Sequence, residues 1–215
     1  MKITKFAHSC LLVEVGGVKI LTDLGSWNTT VPEVSGLTAV LITHEHGDHF
    51  ELVKLQKVLE SNPNAKVITH SAVGALLDEA GVPYTAIEPG EVVDVGGVSV
   101  ESYGTEHAII YGTTSPCRNT GYLIAEKLYI PGDALHDVPS KAVEVLALPT
   151  GGPWMKIAEA IDYGKAVKPK VVFPIHDAMY TETYKQISIP RWVGTQLEVS
   201  GIGFVHIPDN SSHEF

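Results

Sequence analysis

The chain has 215 residues, of which 44% are hydrophobic, and a formal net charge of −10 at pH 7. This length suffices for one sizeable domain with a buried core, and the negative charge argues against a long nucleic acid as partner. No apolar run approaches membrane-spanning length, and residues 1–5 lead into the chain without a signal-type apolar core. We therefore expect a cytoplasmic protein with no membrane association, while its oligomeric state stays open.

Glycine pairs between short apolar runs predict two hairpins in the first half of the chain. Residues 11–23 form one around Gly16-Gly17, and residues 92–101 repeat the design around Gly96-Gly97. Apolar residues at helical spacing predict a helix from Leu52 to Leu59. A strand over residues 67–69 and a helix with Ser71 as its N-cap, Val73, Leu76, Leu77 and Ala80 on its inner face and Gly81 at its end complete this half.

A similar layout returns after residue 120. A hairpin over residues 121–130 is followed by strands at 145–148 and 171–173 and by helices at 155–166 and 190–199. Hairpins mixed with helices, twice over, predict an α+β fold of two mixed sheets packed face to face with helices outside. We expect one domain over residues 1–215, built from two pseudo-repeated halves of about 1–115 and 116–215.

The segment Thr43-His44-Glu45-His46-Gly47-Asp48-His49 follows the apolar run of residues 39–42. It places three imidazoles and a carboxylate, the ligands of a borderline divalent metal, within six positions. We expect Gly47 to supply the backbone freedom that so tight a reversal needs. Further candidate ligands, also after strand-like runs, are His107, Asp133 and His176.

The His-x-His-x-Asp-His motif, followed in order by a distant His, an Asp and a last His, resembles the metallo-β-lactamase-fold hydrolase superfamily. The resemblance spans nearly the whole chain and implies a four-layer αββα sandwich with the ligand loops at one edge. It also implies that one metal ion is held by His44, His46 and His107, a second by Asp48, His49 and His176, and that Asp133 bridges them.

The implied reaction is hydrolysis by a metal-bridging hydroxide, with Asp48 and Asp133 as catalytic carboxylates. Two divalent ions are expected as cofactors; zinc is the default for such nitrogen and oxygen ligands, and manganese or iron also suits them. The predicted substrate is a small molecule: a carboxylic ester, a lactone or a phosphate ester.

Five further residues are candidates for supporting the metals or binding substrate. His8, in His8-Ser9-Cys10, resembles the N-terminal Gly-His-Ser element of the ascorbate-6-phosphate lactonase-like subgroup, although Ala7 replaces the glycine. It either makes a structural hydrogen bond or acts at the metal edge. Asp23 either starts a turn or orients a ligand histidine. Tyr111 and Arg118 bind a carboxylate or phosphate or are solvated, and His136 is placed to reach substrate.

Two other functions stay open. A phosphodiesterase or nuclease would need a basic groove, which this acidic composition does not indicate. A non-catalytic di-metal binding or redox-sensing protein is the alternative from another class; redox relatives usually replace one motif histidine with an acidic residue and carry a flavodoxin domain. Neither feature is present in this sequence.

Overall fold

A computed structural model describes residues 1–215. Fourteen strands follow one another as β1 Lys2–Ala7, β2 Cys10–Val15, β3 Val18–Thr22, β4 Ala39–Leu41, β5 Lys66–Thr69, β6 Thr85–Ala86, β7 Val92–Val95, β8 Val98–Tyr103, β9 Gly121–Ile124, β10 Leu128–Ile130, β11 Val145–Pro149, β12 Val171–Ile175, β13 Gly203–Phe204 and β14 Ser211–Glu214. The α-helices are α1 Leu52–Ser61, α2 Ser71–Glu79, α3 Ile157–Val167 and α4 Thr195–Glu198. None of the helices has the length and apolar composition needed to cross a lipid bilayer.

The strands form two seven-stranded sheets with the same internal design. The order is β14-β1-β2-β3-β4-β5-β6 in the first sheet and β13-β12-β11-β10-β9-β8-β7 in the second. In each sheet antiparallel hairpin strands continue into parallel ones, with β3 pairing with β4 and β10 with β11. The sheets are therefore mixed, as the sequence predicts, and the parallel strands place the loops after them at one edge.

Apolar side chains pack on both faces of each sheet. Between the sheets, residues such as Leu11, Ile20, Val100 and Phe173 form one continuous layer. Strand β8 shows the alternation that this requires, because Val98 and Val100 are buried while Ser99 and Glu101 are partly exposed. The helices cover the outer faces, so β4, β9, β10 and β11 are buried throughout. This arrangement confirms the predicted αββα sandwich.

Two predicted helices differ from the observed ones. His70, not Ser71, is the N-cap of α2: its Nδ1 accepts the Ala72 amide at 3.2 Å, and Leu76 is 41% exposed. A helical segment predicted to begin at Pro190 begins earlier, with two π-helical turns, Tyr184–Ser188 and Pro190–Gly194, that run into α4. Proline has no amide hydrogen to donate, and the wider turns bond the amides around it to carbonyls five residues back.

The expectation that Gly47 is needed for its backbone freedom is wrong. Its φ angle lies outside the positive range, and a Cβ atom would meet only Ser26 Oγ, at 3.9 Å. Gly25 carries the constraint instead. A Cβ at Gly25 would lie 1.9 Å from the carbonyl oxygen of Asp48, because the loop after β3 packs directly on the backbone of the histidine motif.

We therefore expect Gly25→Ala to lower the free energy of unfolding by about 2–3 kcal/mol, since the loop must move away from the motif. Gly47→Ala, the matched control, should change it by less than about 0.5 kcal/mol. Urea denaturation of both variants in the metal-free state measures the difference. Equal stability of the two variants would show that the loop after β3 is not packed on the motif.

Candidate metal centre

All of the predicted ligands lie in loops that follow strands. His44, His46, Asp48 and His49 come after β4, and the other three, His107, Asp133 and His176, follow β8, β10 and β12. Backbone groups at these ends have left the sheet ladder, so side chains can converge there without unpairing buried amides. The structure brings all seven residues together.

Two groups of side chains could each hold a metal ion. In one, ligand atoms of His44, His46, His107 and Asp133 lie within 4.8 Å of one another; in the other, those of His8, Asp48, His49 and His176 do. Asp133 lies between the groups. Its Oδ2 is 3.2 Å from His107 Nε2 and 3.0 Å from His176 Nε2, and its Oδ1 is 3.1 Å from His49 Nε2.

Four of the imidazoles are oriented by protein acceptors. In each of them Nδ1 faces the acceptor, which leaves Nε2 directed into the site. The acceptors are Thr43 Oγ1 for His44, Asp23 Oδ2 for His49, the Ala108 carbonyl for His107 and the Gly151 carbonyl for His176.

The side chains of the site fit a metal. The Nε2 atoms of His49 and His176 and the Oδ1 atom of Asp133 are buried and make no well-oriented hydrogen bond, although His49 Nε2 lies 3.1 Å from Asp133 Oδ1 and His176 Nε2 lies 3.0 Å from Asp133 Oδ2. Buried polar atoms without partners are costly and rare. Nitrogen and oxygen donors of this kind, converging on one another, suit a borderline or hard divalent cation.

The charges of the cluster are coupled. Burial lowers the pKa of His176, but the Asp133 and Asp48 carboxylates outweigh burial and raise this pKa to about 9. Burial also opposes the charge on His49, yet Asp133 and Asp23 hold its pKa well above the usual value. At Asp133 burial is again outweighed, here by His49 and His176, and the pKa lies well below the ordinary range. A divalent cation would compete with protons for the two imidazoles.

Asp23 joins the backbone of the motif to one of its imidazoles. Its carboxylate is fully buried and accepts from the Thr43 amide at 2.8 Å, from the Thr43 hydroxyl at 2.8 Å and from His49 Nδ1 at 2.9 Å. Its φ angle is +44°, in the left-handed region that costs a non-glycine residue energy. Of the two roles that the sequence leaves open for Asp23, these contacts favour orientation of a ligand histidine.

His8 lies at the metal edge and is fully buried. Its Nε2 is 3.2 Å from Asp48 Oδ2, and its ring centroid is 4.0 Å from that of His176. Burial lowers the pKa of His8 to about 3. The amide of Ala178 points at its Nδ1 at 3.4 Å, and the His8 carbonyl accepts the amide of His176 at 3.2 Å.

The three remaining candidates lie outside the ligand cluster. Tyr111 is 95% exposed. Arg118 donates to Glu88 Oε2 and to Ser71 Oγ, which directs its guanidinium away from the metals. The imidazole of His136 is 51% exposed and lies 3.4 Å from a carboxylate oxygen of the adjacent aspartate, Asp137. The substrate roles of these three residues stay predictions.

Sequence reasoning missed three contacts that support the site. Trp154 Nε1 donates to Asp133 Oδ2 at 2.9 Å. Cys117 is only partly buried, and its Sγ lies 3.6 Å from His46 Nε2. Fully buried Lys5 donates to Asp177 Oδ2 at 2.6 Å, directly beside His176. Each of these three pairs joins segments that are distant in the sequence, so no local pattern signals them.

Comparisons with known proteins agree with this geometry. The family model described as "Beta-lactamase superfamily domain" matches residues 2–176. Protein Rv0786c of Mycobacterium tuberculosis is 36% identical over 100% of both chains. The UPF0173 protein PF0020 of Pyrococcus furiosus is 30% identical, covering 85% of this chain and 86% of its own, and the UPF0173 metal-dependent hydrolase Ta0764 of Thermoplasma acidophilum is 27% identical, covering 82% and 83%.

Among solved structures, Igni18, described as a novel metallo hydrolase from the archaeon Ignicoccus hospitalis, superimposes with a TM-score of 0.76 at 22% identity. The superposition covers 100% of this chain and 98% of that one. At this identity the similarity concerns the fold.

The buried ion pair beside His176 gives a test of what holds this edge in place. Lys5→Met leaves the Asp177 carboxylate buried without its cation, so we expect a loss of about 3–5 kcal/mol in the free energy of unfolding. Lys5→Met combined with Asp177→Asn should recover at least half of that loss. Lys2→Met, on the same strand but in a pair with 46% and 30% exposed side chains, should change stability by less than about 1 kcal/mol. A Lys5→Met protein as stable as the Lys2→Met control would contradict this.

Proposed function

This chain belongs to the β-lactamase superfamily and, within it, to the UPF0173 family of metal-dependent hydrolases, and from that premise we propose that it is a dinuclear hydrolase of small carboxylic esters, lactones or phosphate esters. One observation carries the proposal. Two groups of ligand atoms, each within 4.8 Å, meet at the buried Asp133 carboxylate, whose Oδ1 makes no well-oriented hydrogen bond.

The ligands divide between two ions in this proposal. His44, His46 and His107 would hold the first ion, and Asp48, His49 and His176 would hold the second. Asp133 would be shared by both, because its two oxygens face imidazoles of both groups. Zinc is the default ion for this donor set, and manganese or iron also suits it.

His8 supports Asp48 and is not an additional ligand. The Ala178 amide occupies the lone pair of its Nδ1, so the neutral ring carries its proton on Nε2 and donates it to Asp48 Oδ2. The four imidazoles with oriented Nδ1 atoms have the opposite arrangement and offer Nε2 as a lone pair. The pKa of His8, about 3, keeps the ring neutral at physiological pH.

When bound, the ions supply a water molecule of lowered pKa and a Lewis acid for the oxygen of the group attacked. The protein contributes positioning and a hydrogen-bond acceptor. Asp48 is the ligand carboxylate open to the pocket, with 19% of its side chain exposed against 3% for Asp133. Burial opposes its charge, but His176 and His8 outweigh burial and keep the Asp48 pKa below the ordinary range, so its oxygens accept hydrogen bonds at neutral pH.

A protein nucleophile is not required. Burial raises the pKa of Cys117 to about 12, so the thiol beside His46 stays protonated and is a poor nucleophile at neutral pH. A single domain over residues 1–215, with halves of about 1–115 and 116–215, and a cytoplasmic location stay predictions that accompany this proposal.

The proposal is tested by metal content and activity together. Zinc-reconstituted protein should contain close to two ions per chain and hydrolyse esters or lactones. Asp48→Asn should lower kcat/KM at least about 100-fold, since it weakens a ligand and removes the acceptor. Asp162→Asn, an exposed carboxylate on α3, is the matched control and should keep full activity. One ion or fewer per chain, or equal activity of the two variants, would count against the dinuclear mechanism.

Metal binding should release protons. His176, with a pKa of about 9, and His49, with a raised pKa, both carry protons at pH 7 in the metal-free protein. We therefore expect zinc to displace about two protons per chain at pH 7, and its apparent affinity to rise with pH up to about 9. The stability of the metal-free protein changes with pH in the opposite direction. The stabilisation that a raised histidine pKa provides is complete below about pH 6.5 and is lost as the pH rises through about 9.

Calorimetric titration of zinc in buffers with different ionisation enthalpies counts the released protons. Thermal unfolding of the metal-free protein between pH 6 and 9 measures the expected fall in its stability. Zinc binding without proton release at pH 7 would show that neither imidazole is a ligand.

A further inference from the structure

We propose that the metal pocket takes substrates whose non-reacting part is uncharged and apolar, a short alkyl or aryl group attached to a carboxylic ester or lactone. The inference rests on the proposed hydrolase function and narrows its substrate class. It depends on the walls of the pocket, which the metal ligands do not determine.

The pocket above the ligands is small and has apolar walls. Its volume is about 310 Å³, at the lower end of the range for small-molecule sites. Beside the ligands His46, Asp48, His107, Asp133 and His176, it is lined by Ser26, Gly47 and four apolar side chains: Trp27, Ile110, Pro153 and Trp154. Trp27 and Ile110 are 40% and 45% exposed, so a substrate would cover apolar surface that now faces water.

Contacts with the histidine motif, with His8 and with α1 hold Trp27 in place. The amide of the preceding residue, Ser26, donates to the Gly47 carbonyl at 2.6 Å, and the centroid of the Trp27 ring lies 4.6 Å from that of His8. Lys54 on α1 donates to the carbonyls on both sides of the tryptophan, at 3.3 Å to Ser26 and 2.6 Å to Asn28. A wall fixed in this way can bind a substrate group without losing much conformational freedom.

Trp154 forms the second aromatic wall. Its indole N–H is committed to Asp133, and its ring centroid lies 5.6 Å from that of His176 and 5.8 Å from that of His107. The Trp27 centroid is 6.5 Å from that of His176. Both indoles therefore flank the same ligand.

The charged groups around the pocket disfavour a remote anion. No lysine or arginine lines it. Lys54 and Arg118 have partners elsewhere, because Lys54 donates to backbone carbonyls and Arg118 donates to Glu88. A neighbouring cavity of about 430 Å³, which shares His107 and Trp154, adds the carboxylates of Glu106 and Glu159 and the imidazole of His136, which already lies 3.4 Å from the Asp137 carboxylate. An anionic tail would lose hydration there without gaining a lysine or arginine as partner.

The first test compares two esters on the zinc-loaded protein. 4-Nitrophenyl butyrate and mono-4-nitrophenyl succinate have the same leaving group and chain length, but the second ends in a carboxylate. We expect kcat/KM to be at least about tenfold higher for the butyrate. Comparable values for the two esters would overturn the proposal.

Two pairs of variants locate the effect. Trp27→Ala should raise KM for the butyrate roughly five- to tenfold with kcat nearly unchanged, whereas Trp192→Ala, a 54% exposed tryptophan outside the pocket, should alter neither value. Ile110→Arg should raise kcat/KM for the succinate, and Ile187→Arg, also at an exposed isoleucine, should not. Trp27→Ala and Ile110→Arg variants that behave like their controls would contradict the assigned walls.

A binding measurement separates this proposal from the proposed function. Butylboronic acid and 3-carboxypropylboronic acid bind metal hydrolase sites without turnover, and calorimetry with the zinc-loaded protein gives their affinities. Tighter binding of the butyl compound, lost in Trp27→Ala, would support the walls even if no ester is hydrolysed, and then only the hydrolase proposal would fail. Tighter or equal binding of the carboxypropyl compound would reject the walls while leaving hydrolysis possible.

Discussion

The structure of the metal edge depends on one constraint. The Asp133 carboxylate is only 2% exposed, and it must stay charged among the imidazoles around it. Removing a carboxylate from water is very costly unless its oxygens are paired. Trp154 and the imidazoles around Asp133 supply part of that compensation, but Oδ1 makes no well-oriented hydrogen bond. A divalent cation next to that oxygen would complete the compensation, so the need to neutralise one buried group links the packing of the edge to its chemistry.

The surrounding framework holds the edge against local strain. His8, Asp23 and His176 all have positive φ angles, a conformation that costs a non-glycine residue roughly 1–3 kcal/mol. Each is held by contacts that cross between segments: the His8 carbonyl accepts the His176 amide, and the Leu41 carbonyl accepts the Asp23 amide. The apolar layers between and outside the sheets stabilise the framework that enforces these conformations.

The sequence indicates the fold and the members of the site better than it indicates their supports. The spacing of the His44–His49 motif and the glycine-paired hairpins are local signals, and both appear where expected. The importance of Gly25 arises only when its loop meets Asp48. Trp154 and Lys5 likewise act on residues 21 and 172 positions away. No local periodicity encodes such pairs, which is why these contacts emerged only from the structure. Asp23, at the end of the first hairpin, is a support that the sequence did indicate.

The central claim, that these side chains form a dinuclear centre, is tested most directly by anomalous diffraction from zinc-soaked crystals at the zinc absorption edge. We expect two anomalous peaks about 3.5–4 Å apart, one beside His44, His46 and His107 and one beside Asp48, His49 and His176, with Asp133 between them. A single peak, or two peaks of which one lies away from Asp133, would contradict this account.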